Sequence, residues 1–547
     1  MTADMKNVMK FQSRDLLNGL ASIGIGLANF GGVSMFFLFL LAMIPILWLV
    51  IALSVLKMPG HKACFLAWVL TALLSMFCWK FPAGNMATAT LEGVLNALWP
   101  ICLVIIAALF TYNLILKTGA MEEIKKMLAS VSTDKRVLLL LIGWGFGNFM
   151  EGMAGFGTAV AIPASMLAGI GVDPIGAVVG CLVVNSTPTA FGSVGVPTVT
   201  LVSVAGVETM ALSTHVAMLQ AILVILSPFL LVVIGSRSIK ALKGMLPMIL
   251  IAALSYLIPW YAAACFIGPE LPDIIGSICS MVCIVLASRV LNREPAQEYS
   301  IEVSGETEGH SFSVGEGLKA WCPFVLIFIL LMATSNLCPP IHNAIAGIKT
   351  SVQVYSGENA GKLSFSWINT PGVIIFVAAI TGGLVQGSTP GVMAEVLAET
   401  LKKYWKTIVT ICSVMATAKI MSYSGMISDI ATLLVAIAGS AYPCIAPLIG
   451  GVGAFVTGSG TSTCVLFGGL QSQTAVSLGF DPSWMAAANV CGAGIGKMVC
   501  PQSIAIGAGA IGAVGSESKI LGAVFKYFAL FVVLAGAICY AGVLAGI

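Results

Sequence analysis

Two charges stand inside apolar sequence where a charge is costly. Glu151 lies in "FMEGMAGFGT" (149–158), beside Gly152, Gly155 and Gly157, and Lys497 lies in "AGIGKMVCPQS" (493–503). An ionised side chain at a bilayer centre costs at least a few kcal/mol, so such residues mark proton, ion or substrate pathways. A carboxyl in low-dielectric surroundings is suited to take up and release a proton near neutral pH. That is the chemistry of a coupling residue. A lysine next to a helix break can bind a carboxylate, or pair with Glu151 when the site is empty. Each has a plainer reading. Glu151 would satisfy N–H groups freed by the glycines, and Lys497 would snorkel to an interface. Apolar flanks on both sides of Lys497 weigh against the second.

Four segments, 150–160, 183–198, 456–466 and 488–512, mix Gly, Ser, Thr, Asn and Pro inside apolar surroundings and read as helix breaks. "NSTP" (185–188) and "CPQS" (500–503) would open half-helices whose free N–H groups carry partial positive charge toward an anion. Asn185, Ser186, Thr187 and Thr189 on one side, with Gln502 and Ser503 on the other, would add hydrogen bonds to a bound carboxylate. Thr158, Ser459 and Thr461 stand in matching breaks and join this candidate substrate set. The alternative for each residue alone is that Gly, Ser and Thr let membrane helices pack closely. His215, near the start of a span, is a candidate proton relay and equally an interface residue. Lys419 is closer to a helix end and is expected to snorkel. Asp173 and Asp481, each before a proline, read as turn chemistry. Glu92 reads as a first-turn residue, and these three are left outside the site.

The elements that must position these groups are membrane helices. The chain has 547 residues, 58% hydrophobic and 9% charged, whereas soluble domains carry about a quarter charged residues. Its mean hydropathy is +1.01. Apolar runs long enough to span a bilayer include 34–56, 62–79, 95–116, 216–236, 246–264, 272–288, 320–335, 371–386 and 523–546. The expected fold is an all-α polytopic membrane protein of about 12–14 transmembrane helices. Continuous apolar runs exclude a β-barrel, which would show short alternating strands. A net charge of +3 without Lys/Arg runs argues against nucleic acid as a partner. The 15 Cys have no paired spacing and read as small buried hydrophobes rather than disulfides or metal ligands. No cofactor is expected.

Short basic loops face the cytoplasm. Lys57/Lys62, Lys117–Arg136, Arg237/Lys240/Lys243, Arg289/Arg293 and Lys402/Lys403/Lys406 are therefore placed inside. The segments around Glu270/Asp273 and at 336–365 are placed outside. The N-terminus is then outside, which puts Lys6, Lys10 and Arg14 on the wrong side. A polar N-terminal segment (1–33) precedes a first transmembrane half (34–288). A cytoplasmic linker (289–319) follows, then a second half (320–547).

The halves are related. "KTGAMEEI" (117–124) aligns with "YSGMISDI" (423–430), "LIGWGFG" (141–147) with "LIGGVGA" (448–454), and "GFGT" (155–158) with "GSGT" (458–461). "GVDP" (171–174) meets "GFDP" (479–482), and Asn185, Gly192 and Pro197 meet Asn489, Gly496 and Pro501 with the same internal spacing. The repeat cores are 117–198 and 423–509. Under the charge-based topology they have opposite orientation. Inverted repeats with interrupted helices, or re-entrant hairpins at the midplane, are the pattern of secondary transporters.

"MEGMAGFGTAVAIPA" (150–164), "NSTPTAFGSVGVPT" (185–198) and "GIGKMVCPQSIAIGAG" (494–509) resemble the L-lactate permease family, over most of the chain. The resemblance implies proton symport of a small 2-hydroxy monocarboxylate (lactate, glycolate) across the bacterial inner membrane. It also implies scaffold and transport parts with paired helical hairpins. Family members often read Gly-Ser-Asp-Thr where this chain has Gly458-Ser459-Gly460-Thr461, and Arg-Gln at Leu219-Gln220. The second match adds Gln220 to the candidate substrate site. Sodium coupling and other organic anions stay open. So do two other classes, a membrane-embedded enzyme and an anion channel. No nucleophile–base pair or cofactor motif supports an enzyme. A titratable Glu between matched breaks favours coupled carriage over a channel.

Overall fold

Helices take up nearly every apolar run, because a chain in hydrocarbon must satisfy each N–H and C=O within itself. The computed structural model describes residues 35–52, 56, 58–155, 157–291, 297–300, 314–335, 338–357, 362–513 and 516–547. The segment 1–33 with Lys6, Lys10 and Arg14, most of the linker 289–319, Lys57 and Phe156 lie outside the described residues. Among the described residues, ten helices are long and apolar enough to cross a membrane. Four shorter apolar helices accompany them, including Thr158–Gly169 and Pro174–Asn185, which are arms of interrupted elements.

The same three-part unit occurs in each half. In the first, residues 135–153 run as consecutive helical segments to a break at 154–157, and Thr158–Gly169 follows. This is a hairpin, since Gly171 returns beside Lys135. Pro174–Asn185 and Gly192–Ala205 then form an interrupted helix, and Thr209–Gly235 a continuous one. In the second half the hairpin is Tyr442–Thr457 with Gly460–Leu478, the interrupted helix is Pro482–Gly496 with Pro501–Ala510, and the continuous helix is Glu517–Leu544. Tyr442 OH donates to Gln471 Oε1 at 2.7 Å across the second hairpin. The breaks fall inside the four segments expected from composition.

The two Asp-Pro turns do what turn chemistry requires. Asp173 Oδ2 accepts from Gly176 N at 2.6 Å, and Asp481 Oδ1 accepts from Ser483 N at 2.7 Å and Trp484 N at 3.0 Å. Each caps a helix whose first residue is proline, which has no N–H to lose. They stand at opposite ends of Thr209–Gly235. Asp173 pairs with Arg237 at 2.6 Å, just beyond its C-terminus. At the other end His215, near its N-terminus, contacts Ser483 Oγ at 2.5 Å. This helix packs against both Pro174–Asn185 and Pro482–Gly496, tying the repeats together. Tyr442–Thr457 lies on Pro482–Gly496 at backbone distance, and a Cβ at Gly492 would collide with Pro447 O. Small residues allow such close membrane packing.

A second group of helices forms a wall beside these units. Pro390–Ser424, 35 residues long, packs against Gly60–Cys78 and Ala83–Asn96. It carries Lys402, Lys403 and Lys406, which were expected in a loop. The polar stretch 336–365 contributes a small antiparallel sheet, Lys349–Val352 with Leu363–Ser366, an addition to the all-α expectation. Tyr355, between its strands, stacks on Tyr423 with centroids 3.8 Å apart.

Two sequence expectations are corrected here. Lys419 does not snorkel, and Glu92 is not a first-turn residue. Glu92 sits in the third turn of Ala83–Asn96, buried, where its Oε1 accepts from Lys419 Nζ at 2.8 Å and Tyr423 OH at 2.9 Å. Asp273, at the edge of the apolar run 272–288, is fully buried at the start of Pro272–Val290. Removing one member of a buried ion pair costs about 3–5 kcal/mol, because the other charge is left uncompensated. Lys419→Met is therefore expected to lower the melting temperature of the purified protein, and adding Glu92→Gln to recover most of the loss. A single variant as stable as the parent would show that the pair does not hold these helices together.

Candidate functional site

The breaks of both repeats meet at one cavity of about 340 Å³. The first hairpin contributes Glu151 and Gly157, and the first interrupted helix contributes Thr189, Gly192 and Ser193. The second hairpin supplies 457–462, and the second interrupted helix supplies Lys497, Gln502 and Ser503. The opposite side is formed by Lys406, Thr407 and Thr410 of the long helix, with Gly60 and His61.

At its centre Lys497 Nζ donates to Glu151 Oε1 at 2.8 Å, while Asn185 Nδ2 donates to Glu151 Oε2 at 2.9 Å. Glu151 is 3% exposed and Lys497 8%. Local sequence explains both positions. Pro501 cannot continue the helix that ends at Gly496, so Lys497 stands at the end of one half-helix before the next begins. In the first repeat Ser193, Val194 and Gly195 have φ of 47°, 56° and 76°. Left-handed backbone at a β-branched valine is a genuine outlier, which only firm tertiary support maintains. Ser193 Oγ supplies part of that support by donating to Ala154 O at 3.0 Å, tying the broken helix to the hairpin tip. Gly192 makes room for the carboxylate, since a Cβ there would lie 2.7 Å from Glu151 Oε1.

Three helices start at the cavity wall: Thr158–Gly169, Gly460–Leu478 and Pro501–Ala510. Their N-termini present partial positive charge to the cavity. Ser459 caps the second of them, its Oγ accepting from Ser462 N at 3.2 Å. Among the described residues Glu151 is the only acidic side chain lining this space. The field therefore suits an anion.

The sequence-derived residues separate into two groups. Glu151, Lys497, Thr189, Ser459, Thr461, Gln502 and Ser503 line the cavity, and Asn185 touches it through Glu151. Thr158 opens the first helix after the break and donates to Gly155 O at 2.7 Å. Ser186 and Thr187 instead donate back to Val183 O and Val184 O, at 2.7 and 3.0 Å, and do not line the cavity. Gln220 is fully buried on Thr209–Gly235, beside Cys491, and His215 lies at that helix's end. Neither lines the cavity. His61, Thr407 and Thr410 went unnoticed in the sequence, and Lys406 was read only as a topology marker. The one signal was that Lys406 and Thr410 are four residues apart and so share a helix face.

Gly192→Ala tests the geometry cleanly, because φ of −62° at Gly192 suits alanine and only the clash with Glu151 remains. The variant is expected to reach the membrane normally yet lose transport by about tenfold or more, as sub-ångström to 1 Å displacements of site groups do. Unchanged transport would show that the carboxylate position is not critical.

Residues 38–544 match the family model described as L-lactate permease. An L-lactate permease of Streptococcus iniae is 42% identical over 448 residues, 82% of this chain and 93% of the relative. An L-lactate permease of Escherichia coli (strain K12) is 33% identical over 527 residues, covering 91% and 94%. The glycolate permease GlcA of the same organism is 32% identical over 532 residues, covering 91% and 94%. Among solved structures, the Alcanivorax borkumensis YdaH transporter, described as having an unusual topology, superposes with a TM-score of 0.52 at 14% identity. The match covers 88% of this chain and 98% of that one, and it bears on the fold alone. The long apolar helices and bacterial relatives place the chain in the inner membrane as a multi-pass protein, and those relatives are permeases rather than enzymes. On this match across nearly its whole length, the chain belongs to the L-lactate permease family.

Proposed function

We propose that this chain carries a small 2-hydroxy monocarboxylate, L-lactate or glycolate, together with a proton. The observation that carries the reading is the Lys497–Glu151 pair inside the cavity. Charge counting gives the mechanism. With Glu151 ionised and Lys497 protonated, the pair is neutral. A substrate anion arriving alone leaves one uncompensated negative charge in a low-dielectric site, which is costly. An anion arriving with a proton on Glu151 restores neutrality: Glu151 releases Lys497, and the ammonium turns to the substrate carboxylate. Gln502, Ser503, Thr189, Ser459 and Thr461 are then placed to bond the remaining oxygens. The names of the relatives, L-lactate permease and glycolate permease, agree with a substrate of this class.

Alternating access follows if the two units are inverted repeats. Their Asp-Pro turns lie at opposite ends of Thr209–Gly235, which supports that orientation. Opening to either side would then exchange the roles of the two hairpins about one site.

Proteoliposomes holding the purified protein decide the matter. Labelled lactate and glycolate are expected to accumulate under an inward-directed proton gradient, and a dicarboxylate is not. Accumulation driven by sodium instead, or flux without coupled proton movement, would overturn the symport reading. Glu151→Gln is expected to abolish gradient-driven accumulation while lactate counterflow survives. Loss of counterflow as well, at normal protein level, would assign Glu151 to binding or folding. Lys497→Ala is expected to raise the apparent KM by about tenfold or more, since a hydrogen bond to a charged group contributes roughly 1.5–3 kcal/mol. An unchanged KM would remove Lys497 from the substrate site.

A further inference from the structure

Behind the hairpin tip a second carboxyl is fully buried. Asp273 Oδ1 accepts from Tyr256 OH at 3.0 Å and from Trp260 Nε1 at 2.9 Å, while Oδ2 has no hydrogen-bond partner. Two neutral donors would serve an amide oxygen equally well. What the carboxyl adds is a second oxygen able to hold a proton, and that oxygen is the unsatisfied one. Asp273 does not line the substrate cavity. A Cβ on Gly152 would come within 2.8 Å of Asp273 Cβ, so the side chain backs onto the residue that follows Glu151. The titratable or charged groups acting on it are Tyr256, Glu151 and Lys497.

A route outward begins two to three residues earlier. Glu270 and Leu271 line a separate cavity of about 130 Å³, together with Thr334, His342 and Asn369. His342 Nδ1 lies 2.9 Å from Thr334 O. Burial pushes the Glu270 carboxyl up to about 7, within reach of proton exchange near neutral pH. The preceding residue, Pro269, packs its carbonyl against Gly195 in the broken helix, so this loop sits on the interrupted backbone itself.

We propose that Asp273 is a proton-relay residue, passing a proton between Glu151 and the cavity at Glu270. The two carboxyls make no direct hydrogen bond, so in the inward step a water between them takes the Asp273 proton as it gives one of its own to the Glu151 carboxylate. One O–H bond breaks at Asp273, one forms at Glu151, and the water is restored. Asp273 is left ionised, stabilised by the Tyr256 and Trp260 donors, and neutral Glu151 frees Lys497. Water at Glu270 then returns a proton to Asp273. The proposal rests on the proton-coupled reading above and gives that reading a path from outside.

The test uses the full chain in liposomes, beginning with lactate-dependent proton uptake by the parent protein. If the parent moves no protons, the symport reading fails and the relay fails with it. If it does, Asp273→Asn is the next measurement, since asparagine keeps an oxygen for Tyr256 and Trp260. Expected is a loss of gradient-driven accumulation of roughly tenfold or more, with counterflow within about twofold of the parent. Full accumulation overturns the relay, and so does an equal loss of accumulation and counterflow. Should Asp273→Asn fail to reach the membrane, Tyr256→Phe decides, because it removes one donor and keeps the ring. It is expected to displace the pH profile of uptake at unchanged counterflow, and an unmoved profile overturns the proposal.

Discussion

Lys497 and Glu151 are 346 residues apart in the chain and 2.8 Å apart in the fold, and the surrounding architecture serves that approach. At this separation two unit charges attract by about 6 kcal/mol for an effective dielectric near 20. Removing each ion from water costs several kcal/mol. The two terms are of similar size, so the pair contributes little net stability. A contact so balanced is poorly suited to bracing a structure and well suited to being exchanged. A proton on one partner, or an anion beside the other, shifts the balance without the helices having to unpack.

The stabilising contacts lie elsewhere. Thr209–Gly235 touches both interrupted helices, and glycine contacts such as Gly492 on Pro447 lock the second hairpin to its neighbour. The Glu92–Lys419 pair, joined by Tyr423, adds little net stability by the same reasoning, but losing one partner would leave the other charge buried and uncompensated beside the long helix. That division suits a carrier, since the cargo site must change state while its walls move as units. The left-handed run Ser193–Gly195 belongs to the site, because it interrupts the helix beside the cavity that Ser193 lines.

What was legible in the sequence was whatever broke an apolar pattern. Glu151 and Lys497 stand out as charges, and the Gly/Ser/Thr/Pro clusters locate all four breaks. The Asp-Pro turns announce helix starts through capping and proline's missing N–H. What stayed hidden depended on distance across the fold. Lys419 looked like a snorkelling residue because its linear distance to a helix end was visible and its partner, Glu92, was not. Asp273 stood at the edge of the apolar run 272–288 in a segment placed outside for its lack of basic residues, and only packing against Gly152 shows how deep it lies. Ser186 and Thr187 looked like ligands by type. A hydroxyl just past the end of a helix can bond back to the carbonyls of its last turn instead. Lys406 and His61 were hidden by position, as basic residues near a membrane surface have an ordinary explanation in topology.

The two lysines of the cavity differ in a way that bears on selectivity. Lys497 is buried and paired, whereas Lys406 is exposed beside Thr407 and Thr410 on the cavity's far side. An exposed cation attracts anions over roughly a Debye length, about 8 Å at physiological salt, and gives little discrimination. Discrimination belongs to the buried site, where each charge must be matched. In the proposed symport, one ammonium and one proton would neutralise a single carboxylate with Glu151 present. A second carboxylate on the same substrate would enter with no counter-charge of its own, and its desolvation would be uncompensated. Size alone does not impose this limit, since about 340 Å³ holds more than lactate. On the proposed symport reading, a preference for a monocarboxylate would follow from counting charges at Lys497 and Glu151 rather than from the fit of the walls.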